Sequence, residues 1–387
     1  MQNRSTQLLL NFGHAIDHMF LLIFATAVSS IAAEFGFEHW EDLMPYSVAA
    51  FFLFGIGSLP SGKLGDQWGR RPMMVVFFLG IGTASLWVSQ THTPLHMAMA
   101  LALLGAFASI YHPVAIPMLV QGSARPGWTI GVNGLCGNLG VALAAVVTGF
   151  FVKYYGWRMA FLIPGVISIA CGFAFARWAT HEATAPSKKK STPMQPSGLS
   201  MPTLLLVMTL ASTSSSLLFN LSTNSNYELL ADRLVGLTQD PAQIGLLLGL
   251  VYAAASLSQL WVGHMIDRVP LKHLYLRILA FQALVLIMAT QVDGWWFYGV
   301  QFLFMAGVFG AIPFTDAMIV RFVDDTMRSR VTGMRLAVSF GASSIAVLLI
   351  GPIVKQSGFT TLLAVMAVSS LVTLAVISQL PASEHPA

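Results

Sequence analysis

The sequence predicts an all-α integral membrane protein, with twelve transmembrane helices arranged as two pseudo-symmetric six-helix bundles. Three observations lead there. Charged side chains make up 9% of the 387 residues and hydrophobic ones 56%, whereas a soluble domain carries roughly 25% charge. Apolar runs of about 20 residues, long enough to cross a bilayer core as helix, recur twelve times along the chain. A short charged loop after the second run has a degenerate copy about 200 residues later, which relates the two halves.

Taken in order, the first six runs are Leu8–Ala33, Leu43–Lys63, Pro72–Gln90, Leu95–Gln121, Gly127–Lys153 and Trp157–Ala179. The second six are Pro202–Leu230, Ala242–Met265, Leu271–Gln291, Trp295–Arg321, Val331–Lys355 and Phe359–Leu380. The expected units are therefore residues 1–179, a linker at 180–200 and residues 201–387. The linker, with Lys188–Lys190 and Pro196-Ser197-Gly198, has no composition for burying a core. The polar start and long first run lack a small-residue cleavage site, so the first helix reads as retained.

Of the 20 Lys and Arg, only Lys153, Arg158, Arg233 and Lys355 fall on one face of the membrane. The others gather on the face that carries the N-terminus, the linker and the loop at 62–72. This bias puts both termini in the cytoplasm and accounts for the formal charge of +4 without nucleic-acid binding. The opposite face holds most of the acids, among them Glu34, Asp42, Glu228, Asp240 and Asp293. Cys136 and Cys171 both lie within apolar runs, so no structural disulfide is expected.

The charged loop reads Gly62-Lys63-Leu64-Gly65-Asp66-Gln67-Trp68-Gly69-Arg70-Arg71-Pro72. Its glycines let helix ends approach, and Asp66 with Arg70 and Arg71 can make charge-assisted hydrogen bonds that act as a latch. The degenerate copy is Gly263-His264-Met265-Ile266-Asp267-Arg268. Gly62, Leu64, Asp66, Gly69, Arg70 and Arg71 fall on G-x-L-x-D-x-x-G-R-R. That pattern resembles the loop between the second and third helices of the major facilitator superfamily. Gly137-Asn138-Leu139-Gly140 and Gly156-Trp157-Arg158 resemble the fifth helix and the entry to the sixth. Ala144 and Ala145 stand where antiporters of that superfamily usually carry Gly-Pro. In the fifth run, Gly131, Gly134, Gly137 and Gly140 leave one helix face bare for close packing.

Ionisable groups inside membrane helices are costly and need a reason. Asp17 lies between His14 and His18 at helical spacing, so the three share one side of the first helix. His112, in Tyr111-His112-Pro113 of the fourth run, and Asp17 each lie about nine residues from the basic face, about 14 Å deep at 1.5 Å per residue. The superfamily resemblance, in which helices one, four, seven and ten line a central cavity, implies one titratable cluster of His14, Asp17, His18, Tyr111 and His112. The same His14, Asp17, His18 and His112 are also a donor set for a metal ion. Both readings stay open on the residues alone, as does simple helix packing.

In the seventh run, Ser216, Asn220, Asn224 and Tyr227 form a polar stripe suited either to a hydrogen-bonded substrate or to tying helices together. Asp316 and Arg335, near the basic face, read as a gating ion pair together with Asp66, Arg70, Arg71, Asp267 and Arg268. His14-Ala15-Ile16-Asp17-His18 superficially resembles a zinc-hydrolase motif, but an enzyme would leave the repeat unexplained. No G-x-x-x-x-G-K-[ST] loop for ATP is present.

The pieces Gly13-His14-Ala15-Ile16-Asp17, Tyr111-His112-Pro113 and Gly137-Asn138-Leu139-Gly140 look like the fosmidomycin-resistance-type branch of bacterial efflux proteins. The resemblance implies a monomeric inner-membrane transporter, not an enzyme, that exports a small molecule against protons and needs no cofactor. The alternative is a carrier of a metal ion or metal chelate.

Overall fold

The computed structural model describes residues 4–121, 123, 126–179, 201–266, 268–322 and 325–379. The expected linker at 180–200 and Asp267 lie outside the described residues.

The first half comprises α1 (Arg4–Glu34), α2 (Val48–Trp68), α3 (Arg70–Ser89), α4 (Pro94–Ala108), α5 (Tyr111–Val120), α6 (Pro126–Tyr154) and α7 (Trp157–Trp178). The second comprises α8 (Met201–Arg233), α9 (Pro241–Ala255), α10 (Leu257–Ile266), α11 (Leu271–Ala289), α12 (Gly294–Phe322) and α13 (Asp325–Ser378). α4 and α5 form one interrupted pass, as do α9 and α10. Eleven segments of the described residues are long and apolar enough to cross a membrane, and the last of these runs for 42 residues. α13 breaks at Gly358, where φ is 75° and ψ 173°. Only glycine takes that conformation cheaply, so α13 makes two passes and the count of twelve holds.

The charged loop is explained by local geometry. Gly69, at φ 93° and ψ 147°, separates α2 from α3, a backbone state closed to residues with a side chain. Gly65 and Gly62 bring α2 against α5: a Cβ on Gly65 would come within 3.0 Å of Val114, and one on Gly62 within 3.4 Å of Pro113. Arg71 donates to the Ala176 carbonyl at the end of α7, and Arg70 reaches Gln121 Oε1 at 3.5 Å. No ion pair joins Asp66 to Arg70 or Arg71, and Asp66 is exposed. The arginines therefore brace helix ends within the first bundle, and the expected Asp66 tie is not formed in this conformation. In the degenerate copy, the Arg268 N–H closes a turn on the Met265 carbonyl.

The two bundles meet tightly on the acidic face. Lys153 of α6 pairs with Asp240 at the start of α9, and Lys355 of α13 pairs with Asp42 at 2.7 Å. Among the described residues, both ion pairs between bundles lie on this face. Ser29 of α1 donates to Glu228 Oε1 of α8 at 2.7 Å, and Trp40 stacks on Phe359. Beneath the charges, backbone meets backbone. A Cβ on Gly149 would collide with the Pro241 carbonyl, one on Gly245 with the Ala145 carbonyl, and one on Gly351 would come within 2.5 Å of the Glu41 carbonyl.

Candidate functional site

α1 and α5 bring the expected cluster together within the first bundle. His112 Nε2 lies 3.7 Å from Asp17 Oδ2. The His14 ring is 4.8 Å from that of His18 and 5.1 Å from that of His112. Tyr111 stacks on His14 at 4.8 Å, with the ring planes 16° apart. Asp17 and Tyr111 are fully buried, His14 nearly so, while His18 and His112 are half-buried.

A polar floor fixes this arrangement, and most of it comes from a residue that the sequence reading missed. The carbonyl of Asn133 in α6 can only accept, so His14 Nδ1, 2.7 Å away, carries a proton. The other nitrogen, Nε2, is a lone pair in the neutral ring, and it is buried with no hydrogen-bond partner. Asn133 Nδ2 donates to the Tyr111 hydroxyl at 2.8 Å and to Asn11 Oδ1 at 3.0 Å. Tyr111 donates in turn to the Leu10 carbonyl at 2.8 Å.

The bare face of α6 makes room for the cluster. A Cβ on Gly137 would come within 2.7 Å of the His14 ring, and one on Gly140 would strike the Ala15 backbone. The glycine spacing was visible in the sequence, but its counterpart was not.

Asp17 has neither carboxylate oxygen hydrogen-bonded. A carboxylate buried without donors is expensive as an anion unless a proton or a cation accompanies it. The ligand nitrogens of His14, His18 and His112 lie within 4.8 Å of one another. A zinc-like ion with nitrogen bonds of about 2.0 Å would need them about 3.3 Å apart, so the rings would have to close in by about an ångström or more.

The stripe on α8 points its hydrogen bonds elsewhere. Asn220 Nδ2 donates to Ser343 of α13 at 2.7 Å and to the Ser216 carbonyl of its own helix at 2.9 Å. Asn224 donates to the Asn220 carbonyl at 3.1 Å, and the Tyr227 hydroxyl to the Pro241 carbonyl at 3.3 Å. These contacts hold α8 against its own bundle. Glu228, at the end of the stripe, is buried against Ser29 rather than exposed at the rim. Arg335 Nη1 donates to Thr315 Oγ1 at 2.6 Å. The side chain of Asp316 lies outside the described residues.

Two helical bundles, the first holding a buried cluster of ionisable groups, are the architecture of membrane secondary transporters. The pattern of the Major Facilitator Superfamily matches residues 10–231 and 203–387, and the chain belongs to that superfamily. That superfamily is one of membrane transporters, not of enzymes. The chain is 27% identical to a probable hexose phosphate transport protein of Chlamydia pneumoniae over 151 residues, 38% of this chain and 33% of that protein. The chain thus spans about a third of that relative's length. It is 25% identical to the multidrug resistance protein MdtG of Citrobacter koseri over 301 residues, 76% of this chain and 72% of that one. A D-xylose-proton symporter superposes with a TM-score of 0.75 at 15% identity, covering 98% of both chains. A bacterial homologue of the lysosomal transporter Spinster, solved inward-facing and occupied, gives 0.73 at 12% identity, covering 96% of this chain and 95% of that one. These two structures establish the fold.

Proposed function

We propose that this protein is a proton-coupled secondary transporter that exports a small molecule from a bacterial cytoplasm by alternating access, with Asp17 as the coupling acid. The observation that supports it most is a fully buried carboxyl, neither oxygen hydrogen-bonded, 3.7 Å from an imidazole on another span. Such a group changes charge when it takes up or releases a proton, and the cost of each form depends on which face of the membrane it is open to.

The basic face is cytoplasmic in this reading, so the contacts on the acidic face close the outer side and the conformer faces inward. Asp17 gives up its proton to the cytoplasm, substrate enters, and the bundles rock to open the outer face. There the substrate leaves and Asp17 is reloaded. The resemblance of the α1 and α5 motifs to an efflux branch, together with the MdtG relatives, supports export.

The test is proteoliposome transport with an internal pH dye. Wild-type protein moves protons when an exported compound is supplied, and Asp17→Asn does not. Concentrative transport by Asp17→Asn overturns the assignment.

A second reading, carriage of a divalent metal ion or chelate as cargo, rests on the three converging imidazoles. Uptake of labelled zinc or nickel into proteoliposomes, lost in His14→Ala, would favour it. Proton movement driven by an organic compound without metal would favour the first.

A further inference from the structure

The donors in the floor of the cluster are already spent. The Asn133 amide gives its protons to the Tyr111 hydroxyl at 2.8 Å and to Asn11 Oδ1 at 3.0 Å. Tyr111 gives its own to the Leu10 carbonyl at 2.8 Å, and His14 Nδ1 gives its proton to the Asn133 carbonyl at 2.7 Å. Acceptors remain. Among the described residues, both Asp17 oxygens and Nε2 of His14 and of His18 are buried without a hydrogen-bond partner.

Such a set asks for a ligand that brings positive charge and several donors together. A proton meets one lone pair and leaves the others unmet. A metal ion brings the charge but needs the imidazoles to close in, as noted above. Hydrogen bonds of about 2.9 Å at tetrahedral angles instead put their acceptors about 4.7 Å apart, and the ring nitrogens lie within 4.8 Å of one another as they stand. A primary ammonium head fits this count. Its charge neutralises Asp17, and its three N–H groups are shared between the carboxylate and the imidazole lone pairs. Asp17 and His14 are buried whereas His18 and His112 are half-buried, so the carbon end of the amine leaves past the latter two rings.

We propose that the cluster binds the head group of a primary ammonium, which makes small amines the substrate class of this site. The word substrate rests on the transporter reading above, but binding is testable without transport.

The probes are the chlorides of methylammonium, dimethylammonium, trimethylammonium and tetramethylammonium, which keep one charge while their N–H donors fall from three to none. Each is added to the purified full chain in neutral detergent at one neutral pH, with sodium chloride as the ionic-strength control. Methylammonium should raise the melting temperature with concentration, as a ligand of the folded state must. Apparent affinity should fall about tenfold for each N–H removed, the usual scale for a hydrogen bond to a charged group. His14→Phe, which keeps a ring and removes the lone pair, and Asp17→Asn, which removes the charge, should each weaken methylammonium about tenfold or more.

The wild-type series decides even if a variant fails to fold. Equal shifts from all four salts overturn the proposal, as does a largest shift from tetramethylammonium, the order that an aromatic cage gives. A methylammonium shift unchanged in His14→Phe also overturns it. Coupling is read separately in proteoliposomes. Asp17-dependent proton movement without ammonium binding sinks this inference and leaves the transporter reading standing, whereas ammonium binding with concentrative transport by Asp17→Asn does the reverse.

Discussion

His112 Nε2 stands 3.7 Å from Asp17 Oδ2, so an imidazole of the fourth span faces a carboxyl of the first. Neither Asp17 oxygen has a hydrogen bond. An amide at position 17 has nearly the same volume and cannot ionise. Asp17→Asn should therefore leave the melting temperature close to wild type and remove proton-coupled transport, read as loss of dye response in proteoliposomes.

Gly137 sits against the His14 ring, and a Cβ there would come within 2.7 Å of it. Gly131, on the same helix, has nothing within 4 Å of an added Cβ. Alanine at a helical glycine normally stabilises by about 1 kcal/mol. Gly131→Ala should show that gain with transport intact. Gly137→Ala should displace the imidazole from the Asn133 carbonyl and lower transport by about tenfold or more. Paired melting and transport assays check both.

Asp240 does two jobs on the acidic face. Its Oδ1 caps α9 by accepting from Ala242 N at 2.9 Å and Gln243 N at 3.2 Å, while Oδ2 pairs with Lys153. The hydrogen bond from Lys153 holds its carboxyl below the usual value of 3.8. A depressed pKa means that the pair stabilises the closed face above the ordinary carboxylate value and loses that contribution as pH falls through the depressed one. Asp240→Asn keeps the cap and removes the charge. Cysteines engineered on the acidic face should label faster in this variant at neutral pH, and strong acid should raise wild type towards the same rate.

Ser29 supplies the hydrogen bond between the bundles to the buried carboxyl of Glu228 at 2.7 Å. Ser29→Ala leaves that carboxyl without its donor only when the face is closed. It should cost the closed state about 1 to 3 kcal/mol, shifting the conformers towards opening on the acidic side. Double electron–electron resonance distances across that face measure the shift. Unchanged distance distributions would show that the bond does not bias the states.

Much of the architecture was legible because lipid imposes it. A bilayer demands helices of about 20 apolar residues, and the runs counted along the chain became helices with ends displaced by a few residues, Leu8–Ala33 against Arg4–Glu34 for the first. Asp17, His14, His18 and His112 stood out because charge is rare in such segments; depth arithmetic matched their levels, and the superfamily resemblance implied that they meet. The support around them was not legible. Asn133 is one amide on a long glycine-rich helix, and only the crossing of α6 over α1 turns its backbone carbonyl into a partner for His14. The polar stripe on α8 left two readings open for the converse reason. Helical spacing shows that Asn220 and Asn224 share a side but not that Ser343 and their own helix take their hydrogen bonds.

Beneath its side-chain contacts, the seam on the acidic face brings bare peptide against bare peptide at Gly149 with Pro241, Gly245 with Ala145 and Gly351 with Glu41. Long side chains could swing to keep a widening joint partly filled, but apposed main chains have nothing to extend. Such a joint has a sealed position and a parted one with little between. In the proposed cycle, such a joint leaves no half-open intermediate through which protons leak.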